Sequence, residues 1–201
     1  MRDDRHNIID EDAALVAAWR RGEISSFEAL VRKYQKRMLN IAFRITDDYE
    51  DACEVTQDAF VAAYKGIDSF RGAARFSTWL TSITLNLSRN RHQQVQTKRR
   101  KEHSYGGPTG GENPAFVPER PAPGPSALEQ LERRVVHERL LQCIKALSVE
   151  FREAIVLRDL QDYSYGEICA ILNIREGTIK SRLFRARDMV KDCLKRGLGE
   201  I

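Results

Sequence analysis

The residues of this chain best suited to chemistry are cations, and the chemistry is the binding of a polyanion. Between Arg175 and Arg187 stand Arg175, Lys180, Arg182, Arg185 and Arg187 against one carboxylate, Glu176, a local balance of plus four. On a helix entering a DNA groove, the residues near the N-terminal end meet base edges. Lys180 and Arg185 can pair there with guanine, Phe184 can meet a thymine methyl, and Ser181 can bond to either. Arg182 and Arg187 suit phosphates, which position rather than specify, and Arg175 and Thr178 complete the set at the leading edge. The competing reading is a charged helix that faces only water.

Other chemistries find no support in the residues. The first 95 residues hold no paired nucleophile and base, no metal-ligand cluster and no phosphate-cradling glycine loop, so neither an enzyme nor a cofactor site is expected. Cys53, Cys143, Cys169 and Cys193 are scattered, with no C-x-x-C pair and no histidine at zinc-finger spacing. They read as four reduced thiols packed as small apolar residues.

A cationic helix needs a partner to hold it at an angle. Ser164-Tyr165-Gly166-Glu167 has the form of a capping box. It opens a short helix with Ile168, Ile171 and Leu172, followed by a turn through Asn173 to Gly177 and a longer helix from Thr178 to about Arg196. Short helix, tight turn and long helix are the helix-turn-helix pattern. Small Ala170 allows a close crossing, and the stripe Ile179, Leu183, Ala186, Val190 buries the inner face, leaving the cations outside.

The rest of the chain reads as all-α. Strand-like alternation is nearly absent, while a 42% hydrophobic content can fill ordinary helical cores. Asp12 can cap a helix that ends at Gly22. Phe27, Leu30, Val31, Tyr34, Met38, Ile41, Ala42 and Ile45 form one unbroken stripe. A third helix is expected from Tyr49 to Lys65 and a fourth from Ser77 towards Gln94. In the second half a helix over 127–146 precedes one capped by Ser148. Between the halves, residues 96–126 hold all six prolines and five glycines, a composition that opposes a helix. The expectation is therefore two small helical domains, 1–95 and 127–201, joined by a flexible linker. The cluster Lys98 to Lys101 is either a solvated charge run or a transient phosphate contact.

A net charge of +4 leans towards a nucleic-acid partner. No stretch approaches the roughly 18 apolar residues of a membrane span, and Met1 to Asp12 lacks the apolar core of a signal peptide. The expectation is a cytoplasmic protein, not embedded in a membrane.

Three stretches together carry a family resemblance. Phe151 to Arg158 (FREAIVLR), Tyr163 to Ile168 (YSYGEI) and Gly177 to Arg187 (GTIKSRLFRAR) closely resemble region 4 of extracytoplasmic-function sigma factors. Gln57-Asp58-Ala59-Phe60, Asp68-Ser69-Phe70-Arg71-Gly72 and Phe76-Ser77-Thr78-Trp79-Leu80 resemble region 2, in the right order. The resemblance implies binding to core RNA polymerase and promoter DNA, with Glu54, Gln57, Asp58 and Phe60 docking on the polymerase. The competing reading of those four is an ordinary amphipathic helix.

The same resemblance implies that Asp68, Ser69, Phe70, Arg71, Gly72 and Phe76 capture a flipped base of the −10 element, with Asn86, Asn90 and Arg91 also on the DNA. Stacking on an aromatic ring returns roughly 1–3 kcal/mol per base, enough to offset much of the extrusion cost. Trp79 is either a core anchor or part of that contact. Region 4 would read the −35 element, and an anti-sigma factor is the further partner implied. The linker is long and rich in Pro and Gly for this family.

Overall fold

A computed structural model of the chain describes residues 10–103 and 127–198. The expected N-terminal segment before residue 10 and the Pro- and Gly-rich part of the linker, 104–126, lie outside the described residues. The described residues form eight α-helices and no strand. The first four are α1 (Ala13–Arg20), α2 (Ile24–Thr46), α3 (Tyr49–Lys65) and α4 (Phe76–His103). The second four are α5 (Ala127–Lys145), α6 (Val149–Ile155), α7 (Tyr165–Leu172) and α8 (Glu176–Leu198). A 3-10 turn, Ile67–Ser69, precedes α4, and α6 widens into a π-helical turn over Val156–Leu160.

In the first half, α2 lies against α1, α3 and α4, and α3 against α4. The expected stripe of α2 is the core: Leu30, Met38, Ile41, Ala42 and Ile45 are fully buried. Gly22, at φ +93°, ends α1 where a side chain would be strained. Asp48 caps α3 by accepting from the Asp51 N–H at 2.9 Å. Asp12 does not cap α1. Its carboxylate is 2% exposed and accepts instead from Lys33 Nζ at 2.6 Å and from the Tyr34 hydroxyl. That bond and burial push the Tyr34 phenol up to about 12.

Three expectations need correction. The fourth helix runs to His103, eight residues past the expected boundary at 95, because 96–103 contain neither Pro nor Gly and the first breaker is Gly106. Lys98 to Lys101 therefore sit on the last turns of α4. Ser148 makes no side-chain cap of α6. The four-thiol expectation also fails: Cys143 of α5 and Cys193 of α8 are joined by a disulfide, their Cα atoms 5.8 Å apart, while Cys53 and Cys169 are free. Fifty residues of sequence separation hid a proximity that only the packing of α5 on α8 creates.

The two halves also pack together. Their buried apolar residues form one continuous cluster, with α4 against α7 and α2 against α6. Tyr163 is the pivot of the contact. Its hydroxyl lies 2.6 Å from that of Thr81, and the Arg37 guanidinium sits 4.2 Å from its ring centre. Burial pushes this phenol above its ordinary range. Arg89 makes a two-pronged ion pair with the buried Glu153, at 2.5 and 2.8 Å. Arg152, itself buried, donates to the carbonyl of Ile45 at 3.2 Å, and Lys145 pairs with Asp47.

Candidate nucleic-acid interface

The helix-turn-helix forms as its local residues require. Ser164 and Glu167 make both bonds of the capping box. Asn173 ends α7 at φ +54°, the left-handed conformation that Asn tolerates better than most residues. Gly177 is not the turn residue, because α8 already begins at Glu176. Ile168, Leu172, Ile179, Leu183, Ala186 and Val190 close the angle between the helices, all buried. Ala170 does not lie at that crossing. It is exposed and faces the first half of the chain.

The outer face of α8 divides by commitment. Arg175, Thr178, Lys180, Ser181, Phe184, Arg185 and Arg187 are exposed, Phe184 by 75%. Lys180 pairs with Glu176 one turn back at 2.6 Å, which raises its pKa, and lies 5.6 Å from the Tyr165 ring. Arg182, half-buried, pairs with Glu150 at 3.0 Å. Arg187 grips Asp159 with two bonds, at 3.0 and 2.5 Å. Arg175 and Arg185 make no such pair among the described residues. A cleft of about 400 Å³ lies along α8, lined by Tyr165, Lys180, Phe184, Arg187 and Lys191. Tyr165 carries no sequence signal for this role beyond its place in the capping box.

The loop before α4 is built differently. Asp68, Ser69, Arg71 and Gly72 are exposed, and Gly72 adopts φ +70°. Both aromatic side chains expected to stack on a base are buried: Phe70 is 6% exposed and Phe76 not at all. Phe76 meets Trp19 and Phe70 edge-on, while Phe70 tilts on Trp79 at 5.1 Å. The loop is pinned from below, since Arg20 donates to the carbonyls of Phe70 and Ile67. Asp10 accepts the Phe76 N–H at 2.9 Å, standing in for a helix cap. Phe76 is thus a core anchor, because its neighbours on α1 and α4 form an aromatic cluster around it.

A second cleft, about 300 Å³, opens at this loop between Ser69, Phe70, Arg71, Thr78, Trp79 and Ala170. Trp79 is half-buried, between its two expected roles. Thr78, outside the expected DNA set, is 3% exposed and its hydroxyl has no partner. No sequence signal separates it from the neighbouring threonines. Ala170 belongs to α7, and Arg75 at the loop's end reaches Glu167 at 3.4 Å, so the second half of the chain walls this cleft.

Asn86 and Asn90 are exposed on α4. Arg91 is not free: it donates to Asp51 at 2.7 Å and to Glu54 at 2.5 Å, both on α3. Of the expected docking residues, Glu54, Gln57 and Asp58 are exposed, whereas Phe60 is buried and packs edge-on to Phe27. Helical phase explains the split: Phe60 shares the inner face with Thr56 and Ala63. Val61 and Tyr64, 49% and 47% exposed, share the outer face with Gln57 at i, i+4 and i+7, a spacing readable in the sequence.

Comparisons with known proteins agree on one family. Residues 30–98 match the model of Sigma-70 region 2, and residues 137–190 that of Sigma-70, region 4. The chain is 31% identical to the RNA polymerase sigma-H factor of Pseudomonas aeruginosa over 92% of this chain and 95% of that one. It is 34% identical to the ECF RNA polymerase sigma-E factor of Escherichia coli K12, over 89% and 92%. Among solved structures it resembles the sigma factor RpoE of Bartonella quintana, solved in complex with the anti-sigma factor NepR. There the TM-score is 0.62 at 26% identity, covering 84% of this chain and 96% of that one. An all-helical chain with regions 2 and 4 in order, and relatives matched over nearly their whole length, belongs to the extracytoplasmic-function family of RNA polymerase sigma factors.

Proposed function

We propose a division of labour within this sigma factor, which binds core RNA polymerase and directs it to promoters. Region 4, residues 127–201, reads the −35 element as duplex: Lys180, Ser181, Phe184 and Arg185 face the bases, with Arg175, Thr178, Arg182 and Arg187 on the backbone. Region 2, residues 1–95, takes the −10 element at Asp68, Ser69, Phe70, Arg71 and Gly72, with Asn86 and Asn90 beside it. The Pro- and Gly-rich composition of 104–126 suits a tether that lets the two separate. On α3, Glu54, Gln57 and Asp58 meet the polymerase, joined by Val61 and Tyr64. The protein is an initiation factor that supplies no catalysis itself, and works in the cytoplasm. The observation that carries this reading is the exposed face of α8, where Arg175 and Arg185 have no ion-pair partner among the described residues, on a capped helix-turn-helix.

The packed arrangement suits a resting state. Ala170 and Glu167 of region 4 stand at the mouth of the −10 cleft, so a strand entering it needs the halves to part. A partner that binds the packed form better than the parted one holds the factor inactive by shifting that equilibrium. An anti-sigma factor, as in the Bartonella complex, is that partner. The test adds the full chain to purified core polymerase on promoter fragments of its own genome. Specific starts are expected with both components together and weak duplex binding by the chain alone. No starts at any fragment, with tight duplex binding by the chain alone, would show an autonomous regulator instead.

A further inference from the structure

Cys143 and Cys193 are tied into region 4 in a way that DNA reading does not need. Cys143, on α5, is 1% exposed, and Cys193 continues the inner stripe of α8 one turn beyond Val190, half-buried. Their bond joins positions 50 apart and encloses α6, its π-helical turn, α7 and the first part of α8. One further turn along α8, the Arg139 guanidinium of α5 lies over Gly197. Besides its packing on α8 and α6, α5 is held by the Lys145–Asp47 pair, while its Val135 and Val136 are 50% and 43% exposed. Cys53 and Cys169 lie on α3 and α7 with no disulfide partner, so one pair is set apart.

We propose that Cys143 and Cys193 form a redox-modification site whose oxidation by a peroxide staples α5 to the DNA-reading helix. The half-buried Cys193 thiolate attacks the peroxide, becoming a sulfenic acid as the O–O bond breaks and one water leaves. The Cys143 thiolate then displaces the second water from that sulfur, closing the S–S bond. Two thiols lose two protons and two electrons, and one hydrogen peroxide becomes two waters. A dithiol reductant reverses the step by attack on the Cys193 sulfur through a mixed disulfide. The staple restricts the unfolded chain rather than altering the DNA face, because Cys193 continues the inner stripe of α8 and its partner sits on α5, whereas Lys180 and Arg185 are exposed. Oxidation therefore stabilises the reader without changing what it reads. Only this last consequence rests on assigning α8 to the −35 element.

The test uses the purified full chain, treated with hydrogen peroxide or with dithiothreitol. Free thiols counted after denaturation are expected to fall from four to two in a chain that stays monomeric, with one cross-linked peptide pair holding Cys143 and Cys193. The region 4 melting transition of the oxidised form is expected about 10 °C above that of the reduced form. Cys193→Ala and Cys143→Ser should each erase the gap, while Cys53→Ser and Cys169→Ser keep it. Four thiols surviving the oxidant, cross-links between chains, or a gap that persists in Cys193→Ala overturns the proposal. Between the two midpoints, the oxidised form should support more −35-dependent transcription with core polymerase. A melting gap without that difference leaves the staple standing and removes α8 from −35 reading.

Discussion

Region 4 and region 2 hold the aromatic rings expected to meet DNA in opposite states, Phe184 outside and Phe70 and Phe76 inside. On α8 most candidate contacts already stand in water, and where a cation is paired its partner lies within region 4: Glu176 for Lys180, Glu150 for Arg182 and Asp159 for Arg187. In region 2 the aromatic rings are inside, and the cation on α4 is held by carboxylates of α3. The chemistry of each task accounts for this. A duplex is read mostly by polar groups that lose little by waiting in solvent, with Phe184 the exposed exception on α8. A base stack needs an apolar ring, and leaving a Phe exposed forfeits roughly 1.5–3 kcal/mol of burial. On the proposed roles, the α8 site would be ready before DNA arrives, and the loop before α4 would need its rings to turn out.

The largest test of this contrast is Phe76→Ala. If the ring is core, region 2 loses about 3–5 kcal/mol of stability and melts early by calorimetry. A variant that melts normally but fails to open promoters would return Phe76 to the DNA and break the contrast. Next comes Glu153→Ala, which strands Arg89 at the interface between the halves. Because Arg89 is about a third exposed, the expected shift towards the parted form is about 2 kcal/mol, roughly 30-fold. Fluorescence transfer between labels on α3 and α8 measures it. Unchanged transfer would mean that the aromatic and Tyr163 contacts hold the halves without this pair.

Arg185→Ala should cost the holoenzyme about 1–3 kcal/mol at the −35 element and relax selectivity at one base pair, with no change in melting temperature. Promoter-binding titrations on a series of −35 variants check this. An equal loss on every sequence would move Arg185 from the bases to the phosphates. The smallest effect is a pH dependence. Burial, aided by the nearby Arg152 charge, holds His92 below its ordinary value of 6.5. The folded chain keeps it neutral while the unfolded chain takes up a proton. Its contribution is full above that value and lost as pH falls through the depressed one. Melting temperature should drop slightly from about pH 7.5 to about pH 5.5, and His92→Gln should flatten the drop.

Much of the architecture was legible in the sequence where a local rule governs. The third helix spans Tyr49–Lys65 as read, the Ser164 capping box forms, and the stripe of α2 is the core. Errors arose where a distant neighbour outvotes a local preference. Asp12 serves Lys33 and Tyr34 rather than its own helix, and Phe60 turns inward by helical phase although it sits among docking residues. Thr78 carries no mark in the sequence, because only the packing around it leaves its hydroxyl without a partner.

The sequence by itself determined the helices, the basic outer face of α8 and the kinship with sigma factors, since periodicity, caps and motif spacing act within a few turns of chain. Tertiary structure alone decided that Arg89 meets Glu153 across the two halves, that Arg91 is held by α3, and that Cys143 bonds Cys193. Each joins residues 37 to 64 positions apart. At that separation no local pattern constrains the distance, and only the packing of whole helices brings the partners together.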